Sequence, residues 1–431
     1  MMTNIKVTHF NTHDIEGGAA RAVFRLHTGL LSQGLDSKVF VLNKHSDDSH
    51  VIQFNYKVPE KLTTRLRQFL FFRQILWDFS KYKRSRPHGL EPFSDDRTVF
   101  KEYITDQMPV SDIVNLHWIG DFISIADFFR LYQKPVVWTL HDMNAFTGGC
   151  HYTINCDRFT AECGHCPQLG SSRQNDLSRQ VWHRKKNAYS RIKANNLHIV
   201  TLCNWMGKEV ARSPLMKDFP LSIIPNGIDH HVFKPRDKNL ARTLLGIDVT
   251  AKVIFFIAES VTNERKGLSF LLNSLALLQK DKSIVLISAG KGKPDIPSSI
   301  SHIHVGNISN DIILSHLYSA ADVFVIPSLQ DNLPNTVLEA MACGSPVVGF
   351  DTGGIPDMVR PGETGYLAPV SDVGALGEAI SCMLSDSQKR AAMSKKCRET
   401  VENEYTLEIQ ARRYKSLYNR LYKENVETKK Y

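Results

Sequence analysis

The sequence predicts a doubly wound α/β fold in two domains, and three observations carry that expectation. Strand-like segments alternate with helical ones almost throughout the 431 residues, the pattern of repeated βαβ units. Many strand segments are near-continuous apolar runs, as strands covered on both faces of a parallel sheet require. The chain is also too long for one ordinary hydrophobic core.

The candidate strands, in order, are Ile5–Phe10, Lys38–Leu42, Ile113–Leu116, Val136–Leu140, Ile199–Cys203, Leu221–Ile224, Val253–Ile257, Ile284–Ser288, Val323–Ile326 and Val347–Phe350. No low-complexity tract or solenoid-period repeat interrupts them. A hinge is expected near Pro225-Asn226-Gly227, where a strand ends in a turn and the polar stretch Lys234 to Asp237 soon begins. That divides the chain into a first domain over 1–222 and a second over 223–404, two similar halves meeting in a cleft. The last segment, Leu407 to Lys423, reads as an amphipathic helix.

A hydrophobic content of 42% and a charged content of 23% are those of a soluble globular protein. No run approaches the roughly 18 apolar residues of a spanning helix, and the N-terminus lacks the order of a secretory signal. A cytosolic protein is expected. The net charge of +9 points to an anionic partner. Eight cysteines in such a chain read as buried residues or metal ligands rather than disulfides.

Among the motifs, Pro327 to Val348 is the most informative. The apolar strand Val323–Ile326 runs into a polar loop with Asp331, Asn332 and Asn335, and a short helix carrying Glu339 follows. Pro334 and Asn335 suit the first turn of that helix and Gly344 its C-terminal cap. Two carboxylates and free loop amides at a strand end can hold ligand hydroxyls and a phosphate. Gly17 and Gly18 follow the first strand and open a helix, so they serve either close approach of an anion or only a tight turn. Their spacing is not the GxGxxG of a dinucleotide site. His117 and His141 stand at strand C-terminal ends, as site residues or as structural ones. Arg265 and Lys266, before an apolar helix, can neutralise a diphosphate or begin a solvated helix.

Cys150, Cys156, Cys163 and Cys166 fall within seventeen positions, and four thiolates can close a structural zinc site. His151 and His165 are possible competing ligands; free or redox-active thiols and an iron–sulfur cluster are the other readings. Four cysteines leave no open position for catalytic zinc. Lys61 to Arg86 holds eight Lys/Arg against one acid, Asp78, among many apolar residues. As a helix it suits an anionic membrane surface, or it packs an apolar stripe on the core.

With these motifs in this order, the chain resembles the family-4 retaining glycosyltransferases of GT-B architecture. The Gly17-Gly18 turn, His141, Pro225 to Asp229, Lys266-Gly267, Asp331 with Glu339, and Gly353 to Pro356 with Gly365 appear in the family's order over nearly the whole length. Asp331 to Asn335, with Gly148 to Tyr152 and Cys166-Pro167, is similar to the bacterial branch of exopolysaccharide and colanic-acid-type synthesis. The resemblance implies two Rossmann-like domains, with the C-terminal segment 405–431 returning to the first. It implies transfer of a sugar from a nucleotide-diphosphate donor, UDP- or GDP-linked, with retained configuration and no catalytic metal. The acceptor implied is a lipid-diphosphate-linked glycan, met at the inner face of the plasma membrane.

Carried over by position, the resemblance makes His141, Asp331 and Lys266 catalytic. It gives donor contacts to Gly17, Gly18, Arg265, Lys266, Asp331, Asn332, Leu333 and Glu339. Glu339 matches the acid that holds the donor ribose, and Asp331 the acid that contacts the transferred sugar, here one methylene shorter than the family's glutamate. Asn332 and Leu333 match the residues whose backbone amides meet the diphosphate. Ser260 stands where the family has an arginine six residues before Lys266, so either Arg265 compensates or the site is weaker. Two other readings remain: a nucleotide-sugar 2-epimerase of the same architecture, and a zinc-bearing nucleic-acid-binding protein. No recognition helix or RNA-binding motif supports the latter, so no nucleic-acid partner is expected.

Overall fold

Alternating segments wind two all-parallel sheets, one in each of two units. The computed structural model describes residues 5–100, 103–193, 196–278 and 281–428. The units are Met1–Pro225 with Gln410–Tyr431, and Asn226–Ile409.

The first unit contains β1 (Lys6–His13), α1 (Gly18–Ser32), β2 (Asp36–Asn43), β3 (Val51–Gln53), α2 (Leu62–Ser80), α3 (Tyr103–Gln107), β4 (Ile113–Leu116), α4 (Ile125–Leu131), β5 (Val136–Leu140), α5 (Leu177–Tyr189), β6 (Leu197–Thr201), α6 (Asn204–Arg212) and β7 (Leu221–Ile223). Its strands lie in the order β3-β2-β1-β4-β5-β6-β7. The strand order reverses between β1 and β4, the place where such sheets open a ligand crevice.

The second unit contains α7 (Lys238–Leu244), β8 (Lys252–Ser260), α8 (Leu268–Leu277), β9 (Ile284–Lys291), β10 (Ser301–His304), α9 (Asp311–Ala320), β11 (Val323–Ile326), α10 (Asn335–Ala342), β12 (Val347–Phe350), α11 (Ile355–Met358), β13 (Gly365–Ala368), α12 (Val373–Ser385) and α13 (Ser387–Glu404). The order here is β10-β9-β8-β11-β12-β13, with the reversal between β8 and β11.

The last helix, α14 (Leu407–Thr428), buries Ala411, Tyr414, Leu417, Tyr418 and Leu421 against Ile5, Val7, Leu26 and Ile113 of the first unit. Their spacing of three and four residues makes one helical face. Two tyrosine hydroxyls on that face find partners in the core: Asn115 donates to Tyr418 at 2.8 Å, and the Tyr414 hydroxyl lies 3.0 Å from that of Thr139. The last three residues of the C-terminal segment fall outside the described ones.

Three strands were not expected from sequence: β3, β10 and β13. All are short and lie at sheet edges, where one side has no neighbour and a continuous apolar run is not required. The basic segment departs from expectation in two ways. Its helix ends at Ser80 rather than reaching Arg86, and none of its residues is buried. Contact with a core cluster is confined to its end, where half-buried Phe79, with Tyr82 just beyond, packs against Phe93, Leu169 and Leu177. The side facing the protein carries half-buried Thr64, Gln68, Phe71, Ile75 and Asp78, while Leu62, Leu66, Phe69, Leu76 and Trp77 point outward. Trp77 is 63% exposed.

Candidate active site

At the reversal of the second sheet, the ends of β8 and β11 bring two cations onto one carboxylate. Lys266 Nζ is 2.6 Å from Asp331 Oδ2, and Arg265 Nη1 is 3.3 Å from the same oxygen. Ser328 donates to it at 3.2 Å, and the backbone N–H of Asn332 donates to Asp331 Oδ1 at 3.2 Å. Arg265 also donates to the carbonyl of Gln330 at 2.7 Å. Asp331 is buried. Burial alone would raise its pKa, but Lys266 and Arg265 outweigh that and hold the carboxyl down at about 2.

The chain geometry around this cluster is tight. Gly267 turns at φ +74°, and a Cβ there would stand 1.8 Å from the carbonyl oxygen of Pro327. Gly353 turns at φ +57°, and its Cβ would stand 1.8 Å from the carbonyl oxygen of Asp331. Both positions combine a left-handed backbone with close approach, which only glycine satisfies. Glu339, one helical run onward in α10, is buried and accepts a hydrogen bond from the Tyr318 hydroxyl at 3.0 Å. Asn226 donates to the side chain of Asn335 at the start of α10 at 2.9 Å.

In the first unit, His141 is half-buried at the end of β5 and belongs to a row of three imidazoles. His117 Nδ1 lies 3.0 Å from His141 Nε2, and His117 Nε2 lies 3.0 Å from His9 Nδ1. Burial dominates and holds all three neutral: His141 falls to about 4, His9 to about 3, and His117 well below its ordinary value. In such a row the middle ring, His117, donates at one nitrogen and accepts at the other, so the tautomers of its neighbours are linked through it. His117 and His141 border a cleft of about 290 Å³ with Trp118, Gly120, Asp142 and His151. His151 Nδ1 pairs with Asp142 at 2.6 Å and its Nε2 lies 2.8 Å from the Ser94 hydroxyl.

Gly17 sits at φ +90° before α1, and a Cβ on Gly17 or Gly18 would meet nothing within 4 Å. The turn thus presents open space rather than a packed backbone. Asp14 accepts backbone N–H bonds from His45 at 3.0 Å and Ser46 at 2.8 Å, fixing the loop after β2 beside it.

Cys150, Cys156, Cys163 and Cys166 line one cavity of about 280 Å³. Among the described residues, two groups offer three metal-ligand atoms within 4.8 Å of one another, and both consist of histidines and a carboxylate. The cysteine quartet is not one of them. His151, considered as a competing ligand, is committed to Asp142 and Ser94, and His165 Nδ1 faces the carbonyl of Ser172 at 2.6 Å.

The structure therefore joins Arg265, Lys266, Asp331 and Asn332 in one cluster, places Glu339 on the following helix, and puts His141, Gly17 and Gly18 in the other unit. The Asn332 amide is turned to the Asp331 carboxylate in this state. Sequence reading passed over His9, Tyr318 and the Asp142–His151 pair. His9 is a polar interruption in a buried strand, which was a usable signal; Tyr318 lies in an ordinary helical stripe and gave none.

Residues 251–386, inside the second unit, match the family described as glycosyl transferases group 1. Over 204 residues the chain is 24% identical to N-acetyl-alpha-D-glucosaminyl L-malate synthase of Bacillus anthracis, covering 46% of this chain and 53% of that one. Over 177 residues it is 29% identical to D-inositol 3-phosphate glycosyltransferase of Mycobacterium bovis, covering 38% and 36%. The chain thus spans about half or less of these curated relatives. The family match covers about a third of the chain, inside the second unit. Among solved structures, sucrose-phosphate synthase from Thermosynechococcus elongatus superposes with a TM-score of 0.68 at 20% identity, over 97% of this chain and 99% of that one. HepE of Anabaena in complex with UDP-glucose gives 0.63 at 15%, over 96% and 99%. The lipopolysaccharide glycosyltransferase WaaG gives 0.62 at 16%, over 94% and 98%. At these identities the likeness is one of fold, and the fold is GT-B.

Proposed function

We propose that the protein is a glycosyltransferase that moves a sugar from a UDP- or GDP-linked donor to a lipid-diphosphate-linked glycan, with retention of configuration, in surface polysaccharide synthesis. The observation that carries this reading is the Arg265–Lys266–Asp331 cluster, with Arg265 and Asp331 buried, at the strand reversal of the second sheet. One of the similar folds was solved with UDP-glucose bound, and a curated relative is named for transfer to inositol 3-phosphate.

Breaking a glycosyl–phosphate bond leaves positive charge on the sugar and negative charge on the departing diphosphate. Buried Arg265 and half-buried Lys266, held in place by Asp331, stabilise the second charge without reorganising. Asp331 keeps them aimed, and as a carboxylate ionised throughout the neutral range it can accept hydroxyls of the transferred sugar. Glu339, oriented by Tyr318, takes the ribose hydroxyls. His141 is a neutral hydrogen-bonding group, suited to a sugar hydroxyl rather than to an anion. Among the described residues of the cluster none is placed as a nucleophile, and front-face attack guided by the leaving diphosphate is the route that the family resemblance implies.

Helix α2 supports a membrane-borne acceptor. Its outward face repeats apolar residues at Leu62, Leu66, Phe69 and Leu76, with Trp77 beside them. Eight Lys/Arg occur across residues 61–86. An apolar stripe with a tryptophan and flanking cations is the pattern of a helix lying in an anionic lipid interface. Among the described residues no helix is long and apolar enough to cross a membrane.

Incubation with labelled UDP- and GDP-sugars and a membrane lipid extract tests the reading. Label is expected in the lipid fraction, and Glu339→Ala is expected to reduce transfer by at least about tenfold through the lost ribose contact. Full transfer by that variant would sink the site assignment.

A further inference from the structure

The loop between β2 and β3 carries Lys44-His45-Ser46-Asp47-Asp48-Ser49-His50, a run rich in metal-ligating side chains. It is held at both ends. Asp14 accepts the N–H groups of His45 and Ser46, and Lys44 Nζ donates to the carbonyls of Asp48 at 2.7 Å and Val51 at 2.9 Å. The loop's far end thereby comes to rest against α1, at His27.

His27 is fully buried. Its Nδ1 lies 2.8 Å from the Ser37 hydroxyl of β2, while its Nε2 is buried with no hydrogen-bond partner. A buried ring nitrogen left unpaired costs free energy unless something else occupies its lone pair. The ring is accompanied by Asp48 and His50: the three residues offer ligand atoms all within 4.8 Å of one another. The His50 ring stands 5.8 Å from that of His27 between centroids, and His50 Nδ1 lies 3.0 Å from Asp48 Oδ1.

We propose that His27, Asp48 and His50 form a binding site for a divalent transition-metal ion, with zinc the ion that best suits two imidazoles and one carboxylate. Three features meet what such a site needs. Burial holds His27 in its neutral, ligating form, with a pKa down at about 4. Ser37 occupies its other nitrogen and fixes the ring, the outer-shell contact that metal-bound histidines use. Asp48 brings the one negative charge that offsets part of the ion's own. Two histidines and a carboxylate leave a fourth position on zinc for water, on the side where His50 is exposed. A bound ion would tie the β2–β3 loop to the middle of α1. The second trio, His13, Glu16 and His45, also meets the distance condition, but two of its members are exposed and it has no fully buried histidine.

The test is zinc titration of the full chain in metal-free buffer, followed by X-ray absorption at the zinc edge. The expected result is zinc with nitrogen and oxygen neighbours at about 2.0–2.1 Å and a melting temperature raised by on the order of 5 °C at a hundredfold excess over the dissociation constant. Asp48→Asn with His50→Ala, which removes two of the three ligands and leaves buried His27 in place, should abolish uptake of one equivalent; His13→Ala should leave it in place. Undiminished zinc uptake by the double variant would overturn the proposal. So would a shell of sulfur alone at about 2.3 Å, which would move the metal to the cysteine quartet.

Discussion

The two sheets treat their crevice residues in opposite ways. At the strand reversal of the second unit, a carboxylate is buried but kept ionised, because two cations lie within 3.3 Å of one of its oxygens. Beside the reversal of the first unit, buried His9 and His117 and half-buried His141 are kept neutral by desolvation, each with another imidazole at 3.0 Å. Burial is common to both; what differs is the partner. An opposite charge repays desolvation, whereas another titratable base does not. The first arrangement suits a ligand that gains negative charge as it leaves. The second suits uncharged hydroxyls.

Removing a cation from the charged cluster should produce the largest effect. Lys266→Ala is expected to lower the turnover rate by about 10²–10³, or roughly 3–4 kcal/mol of transition-state stabilisation. Single-turnover kinetics with the active donor measure it. A loss confined to KM would mean that Lys266 binds donor and transition state alike, and that the cluster is a binding clamp only.

Acid should separate the two units next. His9, His117 and His141 bind protons more readily when unfolded than when buried, since their folded pKa values are depressed. Stability of the first unit is therefore fully present above about pH 6.5 and is lost as pH falls below it, by up to about 1.4 kcal/mol per pH unit for each such group. His27 and His198, also in this unit, act in the same direction, against His302 alone in the second. Asp331 contributes in a different window. Its depressed pKa adds stability above about pH 4 that disappears only as pH drops toward 2. All five tryptophans lie in the first unit, so their fluorescence reports it separately. Denaturant midpoints by fluorescence should fall between pH 6.5 and 5, with a flat profile there breaking the contrast between charged and neutral crevices.

The same contrast explains what could be read in the sequence. Interior strands such as Ile113–Leu116 and Val323–Ile326 are legible because burial on both faces demands unbroken apolar runs, and their observed bounds are those expected. Edge strands β10 and β13 are not, because their signal is half-exposed and interrupted by residues such as His302 and Tyr366. Asp331, Lys266 and Glu339 were legible as types at spacings, but their pairing was not. That Asp331 would turn its charge onto Lys266 and Arg265 depends on Gly267 and Gly353 letting distant segments touch. Likewise the outward turn of the apolar residues of α2 depends on which side docks, and a helix with apolar residues all round carries no instruction about that.

Those glycines give a sharper test of the charged cluster. Gly267→Ala must move the Pro327 carbonyl, 1.8 Å from the new Cβ, and accept φ +74°. A destabilisation of about 1–3 kcal/mol is expected, confined to the second unit, with tryptophan fluorescence blind to the first event. Calorimetry against fluorescence would reveal it. Coincident transitions by both probes would show that the units unfold together, and would remove the basis for treating the two crevices as separately stabilised.

The smallest expected effect lies outside both crevices. Tyr418→Phe keeps the packing of α14 but removes the acceptor that Asn115 meets at 2.8 Å. Because Asn115 is buried in β4, its side-chain N–H is left without that partner, a cost of about 1–3 kcal/mol toward the lower end where the second Asn115 bond persists. That bond is the Thr139 hydroxyl donating to Asn115 Oδ1 at 3.0 Å, and Thr139 in turn lies beside Tyr414. The tyrosines of α14 thus reach the two strands that end in His117 and His141. If the imidazole row is held by its own contacts alone, Tyr418→Phe lowers the melting temperature of the first unit and leaves the histidine resonances of His117 and His141 where they were. Movement of those resonances would instead show that the returning helix sets the alignment of the row.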